Sequence, residues 1–131
     1  MSVELIQFTS FYAGLLAVFY VLLSFRIILL RKKYRIGIGH GEEMELHRAI
    51  RVHGNFAEYV PLALFLLLLL ELGQAETWIL HTLGSMLLFG RLFHAMGLGK
   101  SAGTSMPRFL GGVLTYTMML IAAGLNVWSV Y

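Results

Sequence analysis

Four stretches of mostly apolar residues divide this chain, at roughly 5–30, 49–72, 77–96 and 109–131. About 20 apolar helical residues cross a bilayer core, and each stretch reaches that length. The first is interrupted by Arg26 near its end, and the second holds the unbroken block LALFLLLLL at 62–70. Lipid offers no partner to backbone N–H and C=O groups, so such segments must satisfy themselves as helices. The pattern predicts an all-α integral membrane protein, a single domain over 1–131 built as a four-transmembrane-helix bundle. The links differ. Residues 31–48, RKKYRIGIGHGEEMELHR, form the longest polar segment. The link at 73–76 is so short that helices two and three must form a tight antiparallel hairpin. The link at 97–107 is rich in Gly and Ser and is predicted to be irregular.

Composition supports the same class. Hydrophobic residues make up 58% and charged residues 13%, against about a quarter charged in soluble domains. Mean hydropathy is +0.76. The net charge of +3 matters less than its placement. Arg31, Lys32, Lys33, Arg35 and Arg48 lie in the first link, and Lys100 and Arg108 in the third. The N-terminus and the second link carry only Glu4, Glu71 and Glu76. Basic links face the cytoplasm, which puts links one and three inside and both termini outside. Because these residues flank apolar spans, they argue against a nucleic-acid partner. The start, MSVELIQF, lacks a basic n-region and leads into a full-length span, so it reads as a retained helix and not a signal peptide. With no cysteine, the chain supplies no thiolate or disulfide of its own.

The second span carries the chemistry. Within HRAIRVHGNFAEYVP at 47–61, Arg48, Arg51, Asn55, Glu58 and Tyr59 fall within an arc of roughly 100° on a helical wheel. His53 falls on another face. Ionised groups at the middle of a membrane helix cost about 2.5–3.5 kcal/mol each on insertion scales. The stripe must therefore face protein or a wet cleft. One reading is a structural polar network that binds nothing. The other is a pocket for a small zwitterion: arginines grip carboxylates, Glu58 can hold an ammonium, and Asn55 can donate and accept. A phosphate would not tolerate Glu58. On the third span, Arg91 and His94 share a face at i and i+3. Arg91 can alternatively snorkel to the membrane edge, and Arg108 can serve as a positive-inside anchor. His40, His47 and His53 are irregularly spaced and no Cys or Asp joins them, so no metal site is predicted. The GIGHG run at 37–41 follows a membrane helix and not a strand, so it reads as a flexible loop and not a phosphate loop.

Arg51, Asn55, Glu58, Tyr59 and Pro61, with the GRLFH segment at 90–94, resemble the signature of the membrane-associated proteins in eicosanoid and glutathione metabolism. The resemblance covers nearly the whole chain and is strongest to the short bacterial members of that family. It implies a homotrimer in the bacterial inner membrane, binding glutathione between adjacent subunits near the cytoplasmic face. It assigns glutathione contacts to Arg31, Arg48, Arg51, Asn55, Glu58, Tyr59 and His94, with Glu58 meeting the γ-glutamyl amine. Arg108 falls where the family has the arginine that activates the thiol. The implied function is a glutathione transferase or lipid hydroperoxide peroxidase acting on lipophilic electrophiles.

Three positions depart from the better-known enzymes. Leu98 stands where they have a tyrosine, Phe109 where a serine is frequent, and Gly112 where a partner tyrosine lies. These losses keep a second class open, a non-catalytic membrane scaffold with the same fold. A transporter needs a polar path through the whole span, and the blocks 62–70 and 115–125 are nearly uninterrupted.

Overall fold

The computed structural model describes residues 5–100 and 106–131. Four helices follow in order: α1 (Phe8–Tyr34), α2 (Met44–Leu72), α3 (Thr77–Lys100) and α4 (Met106–Trp128). The shortest has 23 residues, about 35 Å at 1.5 Å per residue, enough for a hydrocarbon core of about 30 Å. By length and composition α1, α2 and α4 are apolar enough to cross a membrane. In α3 the apolar run is interrupted by His81, Arg91 and His94. Of these, Arg91 and His94 are buried against the other helices. The chain is an α-helical membrane bundle whose exterior is apolar, with Phe11, Val18, Leu22, Phe25 and Leu29 of α1 all exposed.

One long core runs down the bundle. Leu16 of α1, Leu67 of α2, Leu80, Leu83 and Leu87 of α3 and Met118 of α4 are essentially inaccessible. Two glycines bring α3 and α4 together: a Cβ at Gly111 would lie 2.5 Å from the carbonyl oxygen of Gly90 and from the backbone nitrogen of His94. Small residues at a crossing let membrane helices approach closely. This contact lifts the third and fourth helices into register for the site described below.

The helices outrun the predicted spans at the end that carries the 31–48 link, here called the basic end. There α2 begins at Met44, five residues before the apolar stretch, because its first turns are anchored. The Tyr34 hydroxyl donates to Glu45 at 2.6 Å, and Lys33 lies 3.6 Å from the same carboxylate. Arg31 folds the link back over α1, donating to the Ile36 carbonyl at 3.2 Å and the Gly39 carbonyl at 2.9 Å. The link turns through left-handed backbone at Arg35, Gly39, Gly41 and Glu42. The stretch predicted as a flexible loop is thus tethered by an arginine.

The expected irregular link at 97–107 is shorter than predicted. Residues 97–100 continue α3, Met106 and Pro107 start α4, and 101–105 lie outside the described residues. Gly97 and Gly99 cost helix propensity of about 1 kcal/mol each, and α3 continues through both. Pro107 is harmless in a first turn, where its missing N–H would have no acceptor. At the opposite, far end, the 73–76 link forms the expected tight hairpin, with the Ala75 N–H bonded to the Leu70 carbonyl at 2.9 Å.

Candidate functional site

A cavity of about 430 Å³ lies between α2, α3 and α4. Asn55 reaches it from α2, and Arg91 and His94 from α3. From α4 come Arg108 in the first turn, then Phe109, Gly112, Val113, Thr115 and Tyr116. Two guanidiniums line the space and none of its lining residues is acidic. Arg51 also lies within electrostatic reach of His94, with Arg91 and Arg108. The cavity is therefore strongly positive inside an apolar medium, where a charge is felt far more than in water.

Arg91 organises this end of the bundle. It is only 2% exposed. Its Nη2 donates to Asn55 Oδ1 at 2.5 Å and approaches His94 Nδ1 at 3.4 Å. Its Nη1 donates to Thr115 Oγ1 at 3.5 Å, whose own proton goes to the Gly111 carbonyl at 2.9 Å. The guanidinium carbon sits 5.9 Å from the centre of the Phe56 ring. The Nε of Arg91 is buried with no hydrogen-bond partner. Among the described residues Arg91 forms no ion pair with a carboxylate. The alternative in which Arg91 snorkels to the membrane edge does not hold: Gly90 and Gly111 close α3 onto α4 and trap the side chain inside.

The helix-two stripe divides. Asn55 points into the bundle and meets Arg91. Tyr59 turns toward α4, accepting a hydrogen bond from the Tyr116 hydroxyl at 3.1 Å. Arg51 and Glu58 sit on the outer surface of the single chain, paired at 3.7 Å, with side chains 49% and 53% exposed. Arg48 is half-buried, and its Nε has no hydrogen-bond partner. An arc of roughly 100° is wider than one helix contact covers, so one edge of the stripe joins this cavity and the other faces outward. His94 lies where expected, on the cavity wall, and Arg108 does too. Arg31 donates through its Nη1 to the first link. His53 lies off the stripe as predicted, stacked on Tyr20 at 4.6 Å and bonded to Ser24 at 2.9 Å.

Sequence reasoning undervalued Arg91 and passed over Thr115 and Tyr116. The i, i+3 spacing of Arg91 and His94 was a usable signal. Thr115 and Tyr116 lie in an apolar run and give none, since only the approach of α4 makes them neighbours of α2 and α3.

Comparisons with known proteins agree with this architecture. The chain is 45% identical over 120 residues to the inner membrane protein YecN of Escherichia coli strain K12, covering 92% of this chain and 90% of that protein. The same identity and coverage hold for inner membrane protein YecN of the O6:H1 strain of that species. Residues 9–128 match the model of the MAPEG family, so that with the four-helix membrane bundle and its polar second and third helices, the chain belongs to the MAPEG family.

Proposed function

We propose that this protein is a glutathione-dependent membrane enzyme, a transferase or lipid hydroperoxide peroxidase. One observation carries the reading: a half-open, cation-rich cavity lies next to an outward-facing Arg51–Glu58 pair. Glutathione is a zwitterion with two carboxylates, one ammonium and one thiol. Its anionic groups match the arginines, and its ammonium matches Glu58. Asn55 and His94 contact the tripeptide on the cavity wall, and Tyr59 and Arg48 border it. Arg51 and Glu58 lie open at the surface of one chain, so a neighbouring copy completes the site in a homotrimer. Arg31 of the folded first link lies at the same end of the bundle.

Arg108 is the catalytic group in this reading. Its guanidinium favours the thiolate over a thiol whose ordinary pKa is about 8.5. Electrostatic stabilisation by a preset cation is strongest where water is excluded. The lipophilic electrophile or hydroperoxide enters from the bilayer past Phe109 and Val113, apolar cavity residues exposed on the outer side of α4. By charge placement, the first and third links face the cytoplasm and both termini lie outside, in the bacterial inner membrane.

Arg108→Ala leaves glutathione binding largely intact and removes the thiolate absorbance seen by ultraviolet difference spectroscopy. An unchanged thiolate signal moves the activating role to another residue. A second reading, a scaffold without chemistry, draws on Phe109 and Gly112, which put no hydroxyl into the cavity. Calorimetric titration of the detergent-solubilised protein separates the two, because a scaffold shows no binding at millimolar glutathione.

A further inference from the structure

We infer that Arg91 is a positioning residue that turns the inner end of the cavity into a hole lined by hydrogen-bond donors, selective for an anionic group. A guanidinium has only N–H donors and no acceptor. Its 2.5 Å contact with Asn55 therefore fixes that side chain with Oδ1 toward Arg91, which leaves the amide N–H groups for a ligand. Its contact with His94 Nδ1 requires that nitrogen to be unprotonated, so the ring proton sits on Nε2. Thr115 has given its proton to Gly111 and accepts from Arg91. Asn55 and His94 are thus left with a donor for the cavity they line, while Thr115 has none to spare.

A second observation points the same way. The Nε–H of Arg91 is buried and unpartnered, in a side chain 2% exposed on the cavity wall. A buried donor left unsatisfied is costly, and a buried charge with no counter-charge more so. An anion in the cavity offsets the uncompensated charge of the Arg91 guanidinium. An ammonium is repelled by the Arg91 and Arg108 guanidiniums on the cavity wall. In the glutathione reading, on which the ligand arm of the test rests, the sulfur anion or a carboxylate takes this place, and the amine stays outside with Glu58.

The test has two arms. In the first, protein labelled with ¹⁵N-histidine in lipid nanodiscs is compared with Arg91→Met, and His94→Gln assigns the resonance. We expect a single His94 tautomer with the proton on Nε2 in the wild type, and a shifted Nδ1 resonance in Arg91→Met. A proton on Nδ1, or an Nδ1 resonance that ignores the substitution, overturns the proposal whether or not glutathione binds. In the second arm, glutathione sulfonate and S-methylglutathione are titrated into both proteins. A wild-type preference of about tenfold for the sulfonate, lost in Arg91→Met, places the sulfur anion in the hole. Equal weakening of both ligands places a carboxylate there. Unchanged affinities for both overturn the proposal. If the wild type binds neither ligand, the glutathione reading fails and the tautomer alone decides the donor-lined hole. If Arg91→Met does not fold in detergent, the wild-type tautomer decides.

Discussion

The two ends of the bundle both bury polar groups, and they do so differently. At the far end, the Tyr12 hydroxyl contacts His81 Nδ1 at 2.9 Å, the His81 carbonyl at 3.2 Å and Ser85 Oγ at 3.0 Å. Gly84 makes room for its ring, since a Cβ there would overlap the Tyr12 ring carbons. Nearby, Glu71 takes the first N–H groups of α1, from Gln7, Phe8 and Thr9, at 2.7–3.0 Å. The Tyr12 and Glu71 valences are spent inside the chain; the buried Thr9 hydroxyl has no partner but lines neither the cavity between α2, α3 and α4 nor the one beside His81 and Ser85. At the basic end, Arg91 keeps an unpartnered Nε–H and borders a cavity with no acidic wall. Buried polarity therefore does not by itself mark function in this bundle. Leftover valence beside open space does, because a satisfied network only rigidifies.

Three substitutions test that contrast. Gly111→Ala has the largest expected effect. The added methyl meets backbone of α3 that cannot step aside, which costs about 1–3 kcal/mol and parts the helices that form the cavity. Thermal unfolding in detergent should show the loss, together with weakened glutathione binding. Full stability would mean that the α3–α4 approach does not shape the site. Tyr12→Phe comes next. It strips His81 and Ser85 of a partner at a cost of about 1–2 kcal/mol, and glutathione affinity stays at the wild-type value. A drop in affinity would join the two ends and undo the distinction between a closed cluster and an open one. Arg51→Gln has the smallest effect on stability, within about 1 kcal/mol for a half-exposed ion pair, and its effect falls on binding. Wild-type glutathione affinity in that variant would remove the outer edge of the stripe from the ligand surface.

The helices were legible because apolar length and the backbone's need for internal partners act locally. The face of α2 that carries Arg51, Asn55 and Glu58 was legible for the same reason, since helical period alone groups them. Period could not say which members of that face turn inward. Asn55 meets Arg91, while Arg51 and Glu58 pair on the outer surface, because α3 and α4 cover only one edge of the arc. Likewise the length of the third link was misjudged at 97–100, where glycine content argued for a break that helical hydrogen bonding overrode.

By itself, then, the order of residues determined a membrane bundle of four helices, its polar second helix and its family. Those properties follow from contacts within a few residues or from solvent preference. Tertiary structure decided that Arg91 is buried and that Thr115 and His94 surround it. It also decided that the cavity holds cations without an acid. Such facts depend on how closely Gly90 and Gly111 let two helices approach, a distance between segments that no local pattern encodes.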